Sequence, residues 1–313
     1  MPENITINNH TIKCGQQKEI QLKIARLPSF ETIELPVTVY RAATDGPVLL
    51  LTGGIHGDEI NGIEIIRRMI AQELIKPEIG TVIAVPLVNV FGFIQKERDM
   101  PDGKDINRSF PGSKSGSLAR LVAHTLMDEI FPHIDYGVDF HTGGRARANY
   151  PQIRCDLKVA ANKELASAFS PPMVIHSSLV EHSFRKTAQK RGKQILVYET
   201  GEASRFYEFG IQQGIAGTLR LMKHLGMRTK APESMEKTIF HKSTWIRAKS
   251  AGVFHAEVTL GDTVDKRQIV GYLSDPFGKE SLKVKSPQQG RIFGVNNAPV
   301  VHKGDALLHI AYN

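Results

Sequence analysis

Cysteine is almost missing from this chain: Cys14 and Cys155 are the only two in 313 residues, and they form no short-spaced pair. That excludes a disulfide framework and a cysteine-based zinc site, and it fits a reducing cytoplasm. Long hydrophobic runs are missing too. The longest apolar stretch, TVIAVPLVNVFGFI (81–94), is broken by Pro86, Asn89 and Gly92, and a spanning helix needs about 18 apolar residues or more. No membrane association is therefore expected. The N-terminal MPENITINNH has neither a basic n-region nor an apolar h-region, so no signal peptide is expected. Aromatics amount to only 7%, and the basic residues behind the net charge of +8 are scattered. A nucleic-acid interface would gather such charge in a stripe, often with interleaved aromatics, so a small anionic substrate is the more economical partner.

What is present is ordinary globular material, with 41% hydrophobic and 23% charged residues. These values exclude a disordered chain, a collagen-like repeat and a coiled coil. The length suits one large domain or two ordinary ones.

The first 50 residues alternate as strands, IQLKIARL (20–27) and ELPVTVYRA (34–42). From residue 48, short apolar runs at 48–54, 81–89, 136–143, 173–178 and 194–201 are separated by helical periods. Ile60, Ile63, Ile66, Ile70 and Leu74 mark one helix. Leu118 to Ile130 mark a second, with Ser117 as a candidate cap, and Ile211 to Leu225 a third, closed by Gly226. Strands alternating with helices predict an α/β fold, a mostly parallel or mixed sheet with helices on both faces. The polar stretch 227–237 reads as a linker. Beyond it, short strands with Gly-Asp turns predict a small all-β barrel. The expected domains are 1–230, catalytic with N-terminal strands, and 237–313, the C-terminal barrel.

Four motifs carry chemistry. In GGIHGDE (53–59), His56 lies in a glycine-rich turn after a buried strand and Glu59 begins the next helix. Such a turn can bring an imidazole and a carboxylate onto one metal, although it also reads as an ordinary strand-to-helix connection with Glu59 favouring the helix dipole. In DFHTGG (139–144), His141 ends another apolar strand, where ligands gather in open α/β sheets. His56, Glu59 and a distant His141 match a catalytic zinc pattern of two His and one Glu, which leaves a position for water. Asp139 is placed to orient an imidazole, or simply shares its face. The loop RDMPDGKDINRSFPG (98–112) offers Arg98, Asn107 and Arg108, a carboxylate-binding set or a solvated loop. In VYETGE (197–202), Glu199 ends an apolar strand, where a surface carboxylate is unexpected. It is a candidate general base, and its alternative is a helix-start carboxylate. The remaining histidines lack a comparable setting and read as structural or surface residues.

In this order, GGIHGDE, DINRSFPG, DFHTGG and YETGE resemble the succinylglutamate desuccinylase/aspartoacylase family, whose fold is that of zinc carboxypeptidases. The resemblance covers roughly residues 40–225, and the β-rich tail is similar to that of bacterial members. It implies one zinc ion per chain on His56, Glu59 and His141, with Glu199 as general base to a metal-activated water. It implies Asn107 and Arg108 on the substrate carboxylate and Arg98 polarising the scissile carbonyl. YPQIR (150–154) adds Tyr150 and Arg154 as substrate contacts. The implied activity is hydrolysis of the amide bond of a small anionic N-acyl amino acid. The same constellation also serves a metallocarboxypeptidase acting on short peptides. A biotinyl- or lipoyl-type carrier is disfavoured, since Lys279, Lys283 and Lys285 lack the usual sequence context of a modified lysine. Oligomeric state stays open, a homo-oligomer included.

Overall fold

The computed structural model describes residues 4–26, 30–279 and 281–313. Its framework is a thirteen-stranded mixed sheet with helices on both faces. Four parallel neighbours form the centre, in the order Ile79–Val85, Thr44–Thr52, Tyr136–Gly143 and Gln194–Glu202. Thr32–Arg41 and Gln17–Arg26 extend it antiparallel on one side. The first expected strand thus ends at Arg26, and Leu27 lies outside the described residues.

The middle strands are apolar along their length because both faces are covered. Leu49 and Leu51 point into a core shared with the helices Ile60–Ala71 and Glu208–His224. Val48 and Leu50 point the other way, into a core shared with the helix Leu118–Thr125 and the wider turn Leu126–Ile130 that continues it. Among the described residues no helix is long and apolar enough to cross a membrane.

The helix Glu208–His224 carries Gly210, Gly214 and Gly217 on one face, a composition that weakens an isolated helix. Close approach compensates. Side chains there would collide with Thr200, Ile65 and the Phe169 ring respectively. The contact presses the helix onto the strand Gln194–Glu202, and the Tyr198 hydroxyl donates to the Gly210 carbonyl at 2.7 Å. The strand that carries Glu199 is thereby held firmly against the helix.

Arg147–Cys155 is a strand despite Pro151, a residue that usually marks an edge. Its pairing explains the exception. The register with Gln194–Glu202 slips between Asn149 and Gln152. On the opposite edge, Gly290–Asn296 pairs only with Arg147 to Asn149, and Met173–His176 only with Gln152 to Cys155. Pro151 therefore falls where no ladder needs its missing N–H.

The stretch 228–237 is irregular, as a linker should be, but it is tied down. Glu78 accepts from Thr229, and the Glu233 and Met235 carbonyls accept from Arg220 and Ser170. Beyond it every described element is a strand. These strands do not stand apart from the main sheet. Lys242–Arg247, Ala306–Tyr312 and Gly290–Asn296 continue it through Arg147–Cys155. Gly252–Ala256, Ile269–Ser274, Ser281–Lys285 and Val300–Val301 make a second, four-stranded sheet. Phe254, Val270 and Leu273 of the second sheet share a core with Ile292 and Leu308 of the first.

Candidate active site

The site forms at the C-terminal ends of the parallel strands. The turn after Thr44–Thr52 carries His56 and leads into Glu59, the residue just before the helix Ile60–Ala71. The Glu59 side chain makes no cap bond to that helix and turns instead into the site. His141 lies near the end of Tyr136–Gly143, and Glu199 is its register partner on the neighbouring parallel strand. The glycine of this turn that matters most is Gly57. A Cβ there would overlap the Gly92–Phe93 backbone of the helix Val90–Gln95. We expect Gly57→Ala to destabilise the protein by about 1–3 kcal/mol, as overpacking does, and to lower activity by shifting His56 and Glu59. A denaturant midpoint equal to wild type would refute this.

His56, Glu59 and His141 are 3%, 1% and 4% exposed, and one ligand atom from each lies within 4.8 Å of the others. His56 Nδ1 is 2.8 Å from Glu59 Oε1, and His141 Nδ1 is 3.1 Å from Glu59 Oε2. Each outer nitrogen has its own carboxylate: His56 Nε2 lies 3.2 Å from Asp105 Oδ1, and His141 Nε2 lies 2.7 Å from Asp139 Oδ2. Asp139 is in turn fixed by the Thr52 hydroxyl, which donates at 2.7 Å. If the outer N–H groups donate to these carboxylates, both Nδ1 lone pairs face Glu59. His56 Nδ1, although buried and close to Glu59, has no hydrogen-bond partner. A buried imidazole nitrogen 2.8 Å from a carboxylate but without a hydrogen bond fits a divalent cation shared by the two groups, and N, N, O donors with carboxylates behind the imidazoles suit zinc.

Without a cation the three groups compensate one another. Burial pushes Glu59 upward, but the two imidazoles outweigh it and hold the carboxylate well below its usual range. Burial likewise pulls His141 down, and Asp139 with Glu59 reverses this to well above the usual histidine value. A bound metal would take the place of these protons.

Arg98 bridges the site's carboxylates, donating to Glu59 Oε1 and to Asp105 Oδ2, both at 3.0 Å. Asn107 accepts from the Phe184 N–H through Oδ1 at 2.9 Å, which leaves its amide nitrogen for the cavity. Arg108 also lines the cavity and donates to the Asn107 carbonyl at 2.7 Å. Glu199 Oε2 accepts from Asn149 at 2.8 Å, while Oε1 faces Arg154 at 3.8 Å. Tyr150 does not line the cavity. Its ring packs near Phe209 and under Arg291, facing the C-terminal strands.

These groups surround a cavity of about 270 Å³, at the small end for ligand sites. Five arginines line it: Arg98, Arg108, Arg147, Arg154 and Arg185. Arg185 donates only to neutral oxygens, on Arg154, Ser177 and Ser178. Burial lowers its pKa below the ordinary arginine value, and the nearby charge of Arg154 acts the same way. The sequence does not single out Asp105, Asn149, Arg185 or Trp245. Asp105 opens the DINR segment itself, but its backbone-capping contact to Asn107 N is the reading a lone Asp before a helical turn first invites.

Fold and site define the class: a mixed α/β enzyme with a candidate metal centre of two imidazoles and one carboxylate at its strand ends. The chain belongs to the succinylglutamate desuccinylase/aspartoacylase family, whose catalytic domain matches residues 45–225. That is a family of deacylases. It is similar to the N-alpha-acetyl-L-2,4-diaminobutyric acid deacetylase of Halomonas elongata, with 27% identity over 89% of this chain and 86% of the relative. The crystal structure of a Rhodobacter sphaeroides succinylglutamate desuccinylase/aspartoacylase superposes with a TM-score of 0.81 at 27% identity, covering 95% of each chain. The product-bound ectoine utilization protein EutE of Ruegeria pomeroyi shares the fold, with a TM-score of 0.84 at 21% identity over 95% of each chain.

Proposed function

We propose that this protein hydrolyses the amide bond of a small anionic N-acyl amino acid, using one zinc ion held by His56, Glu59 and His141. The observation that carries the reading is the position of Glu199. Of the carboxylates lining the cavity, Glu59 and Asp139 are committed to imidazoles, whereas Glu199, the register partner of His141, keeps one oxygen without a hydrogen bond, 3.8 Å from Arg154. A bound zinc ion supplies Lewis-acid activation of water and of the acyl oxygen. Glu199 takes a proton from the water as its oxygen bonds to the acyl carbon. It then returns the proton to the amine nitrogen as the C–N bond breaks. Asn149 holds the second Glu199 oxygen and so aims the first. Arg98, braced by Glu59 and Asp105, donates to the developing oxyanion. Asn107, Arg108 and Arg154 hold substrate carboxylates, which orients the amide. Tyr150 is left out of the substrate contacts. In this reading residues 1–230 are the catalytic domain, and 237–313 form an all-β domain that joins its sheet and adds Trp245 to the cavity lining.

The Halomonas relative is named for a substrate with a side-chain amine. Five arginines around this cavity favour an anionic side chain instead. A panel of N-acetyl-L-aspartate, N-succinyl-L-glutamate, N-acetyl-L-2,4-diaminobutyrate and a dipeptide, assayed for amine release with and without added zinc, tests the proposal. The acidic substrates should be turned over fastest, and only with metal. Cleavage of the dipeptide alone would make the protein a carboxypeptidase.

A further inference from the structure

Three of the C-terminal strands that join the main sheet place three aromatic rings in a stack beside the cavity. Trp245 and His309 are register partners on Lys242–Arg247 and Ala306–Tyr312, and their rings lie 4.0 Å apart at 16°. Phe293, from Gly290–Asn296, lies 4.1 Å from His309 at 34°. A guanidinium sits at each terminal ring. Arg147 Cζ is 5.8 Å from the centre of Trp245, and Arg154 Cζ is 5.8 Å from the centre of Phe293. Both arginines line the cavity, and so does Trp245.

Hydrogen bonding does little to hold Arg154 in place. Its Nε is buried without a partner, and Glu199 is 3.8 Å from Nη1. The face of Phe293 is then the main surface that orients the guanidinium, and the stack behind Phe293 keeps that face still. The middle ring must be flat and uncharged for this, since it lies between two cations. His309 meets both conditions: burial, reinforced by Arg154 and Arg247, pushes its imidazole down to about 3.

We propose that Trp245, His309 and Phe293 are positioning residues, a ring stack on the C-terminal strands that aims Arg147 and Arg154 into the cavity and so sets affinity for the substrate's carboxylate. This rests on reading the cavity as an anionic N-acyl amino acid site. Trp245 is the chain's one tryptophan, so its emission reports on the stack directly and without turnover. The test titrates succinate against Trp245 fluorescence in wild type, His309→Leu and His309→Phe, alongside KM and kcat on the best substrate. Leucine removes the flat face and phenylalanine restores it. His309→Leu should raise the succinate Kd and the KM by about five- to tenfold, the scale of one cation–π contact, with kcat within about twofold. His309→Phe should return both to near wild type. If His309→Leu does not fold, Trp245→Leu with Trp245→Phe as its rescue gives the same comparison through KM. Unchanged Kd and KM in the leucine variant overturn the proposal. So does failure of phenylalanine to rescue, or a wild-type emission that ignores succinate. Succinate binding that responds as expected in a protein without amide hydrolysis would sink the functional reading and leave this one standing.

Discussion

Replacing both imidazoles, His56→Ala/His141→Ala, is expected to abolish metal binding and reduce turnover to background. Wild type purified with zinc should carry about one ion per chain, and added zinc should raise its melting temperature, because a ligand that binds only the folded state stabilises it. The double variant should show neither. The geometry makes the effect large. Glu59 would be left as a lone carboxylate against Arg98, and one oxygen ligand does not hold zinc. Asp139 and Asp105 would each lose an imidazole partner, so some loss of stability accompanies the loss of metal. Elemental analysis decides the matter: full occupancy in the double variant would mean that the metal sits elsewhere.

Glu199→Gln is expected to lower kcat by about 100-fold or more while keeping the metal, the fold and most of the substrate affinity. The amide is nearly isosteric and can still accept from Asn149 through its oxygen. Its nitrogen then faces Arg154, donor against donor, and it cannot take a proton from water. The signature is a fall in kcat with little change in KM. A variant within about tenfold of wild type would remove Glu199 from the role of base.

The candidate triad is legible because His56 follows an apolar strand and His141 lies near the end of another, and strand ends are where α/β sheets bind ligands. The supporting residues were not legible, for separate physical reasons. Asp105 acts on His56 from a loop 49 residues away, a proximity no local pattern encodes. Asn149 lies on a strand whose Pro151 and flanking arginines argue against a strand at all, until the register slip beside Pro151 is seen. The helices Ala160–Phe169 and Phe184–Lys190 leave no clear period in the sequence because each is short and its apolar positions are few. His309 reads in the sequence like the other structural histidines: nothing in ALLHIAY shows that its neighbours across two strand partners are aromatic. The C-terminal turns correctly announced strands, but a turn pattern does not say which edge those strands will join. Here five of them join the catalytic sheet.

That join makes the C-terminal strands something other than an appendage. Gly290–Asn296 covers the backbone of Arg147 to Asn149, and Thr238–Phe240 covers the outer side of Met173–His176. A chain ended at residue 237 would leave both stretches with unpaired N–H and C=O groups, a template for other chains to add to. Shortening this enzyme to its catalytic match would therefore remove Trp245 from the cavity and leave an aggregation-prone border, and the two halves are best regarded as mutual protection rather than as engine and accessory.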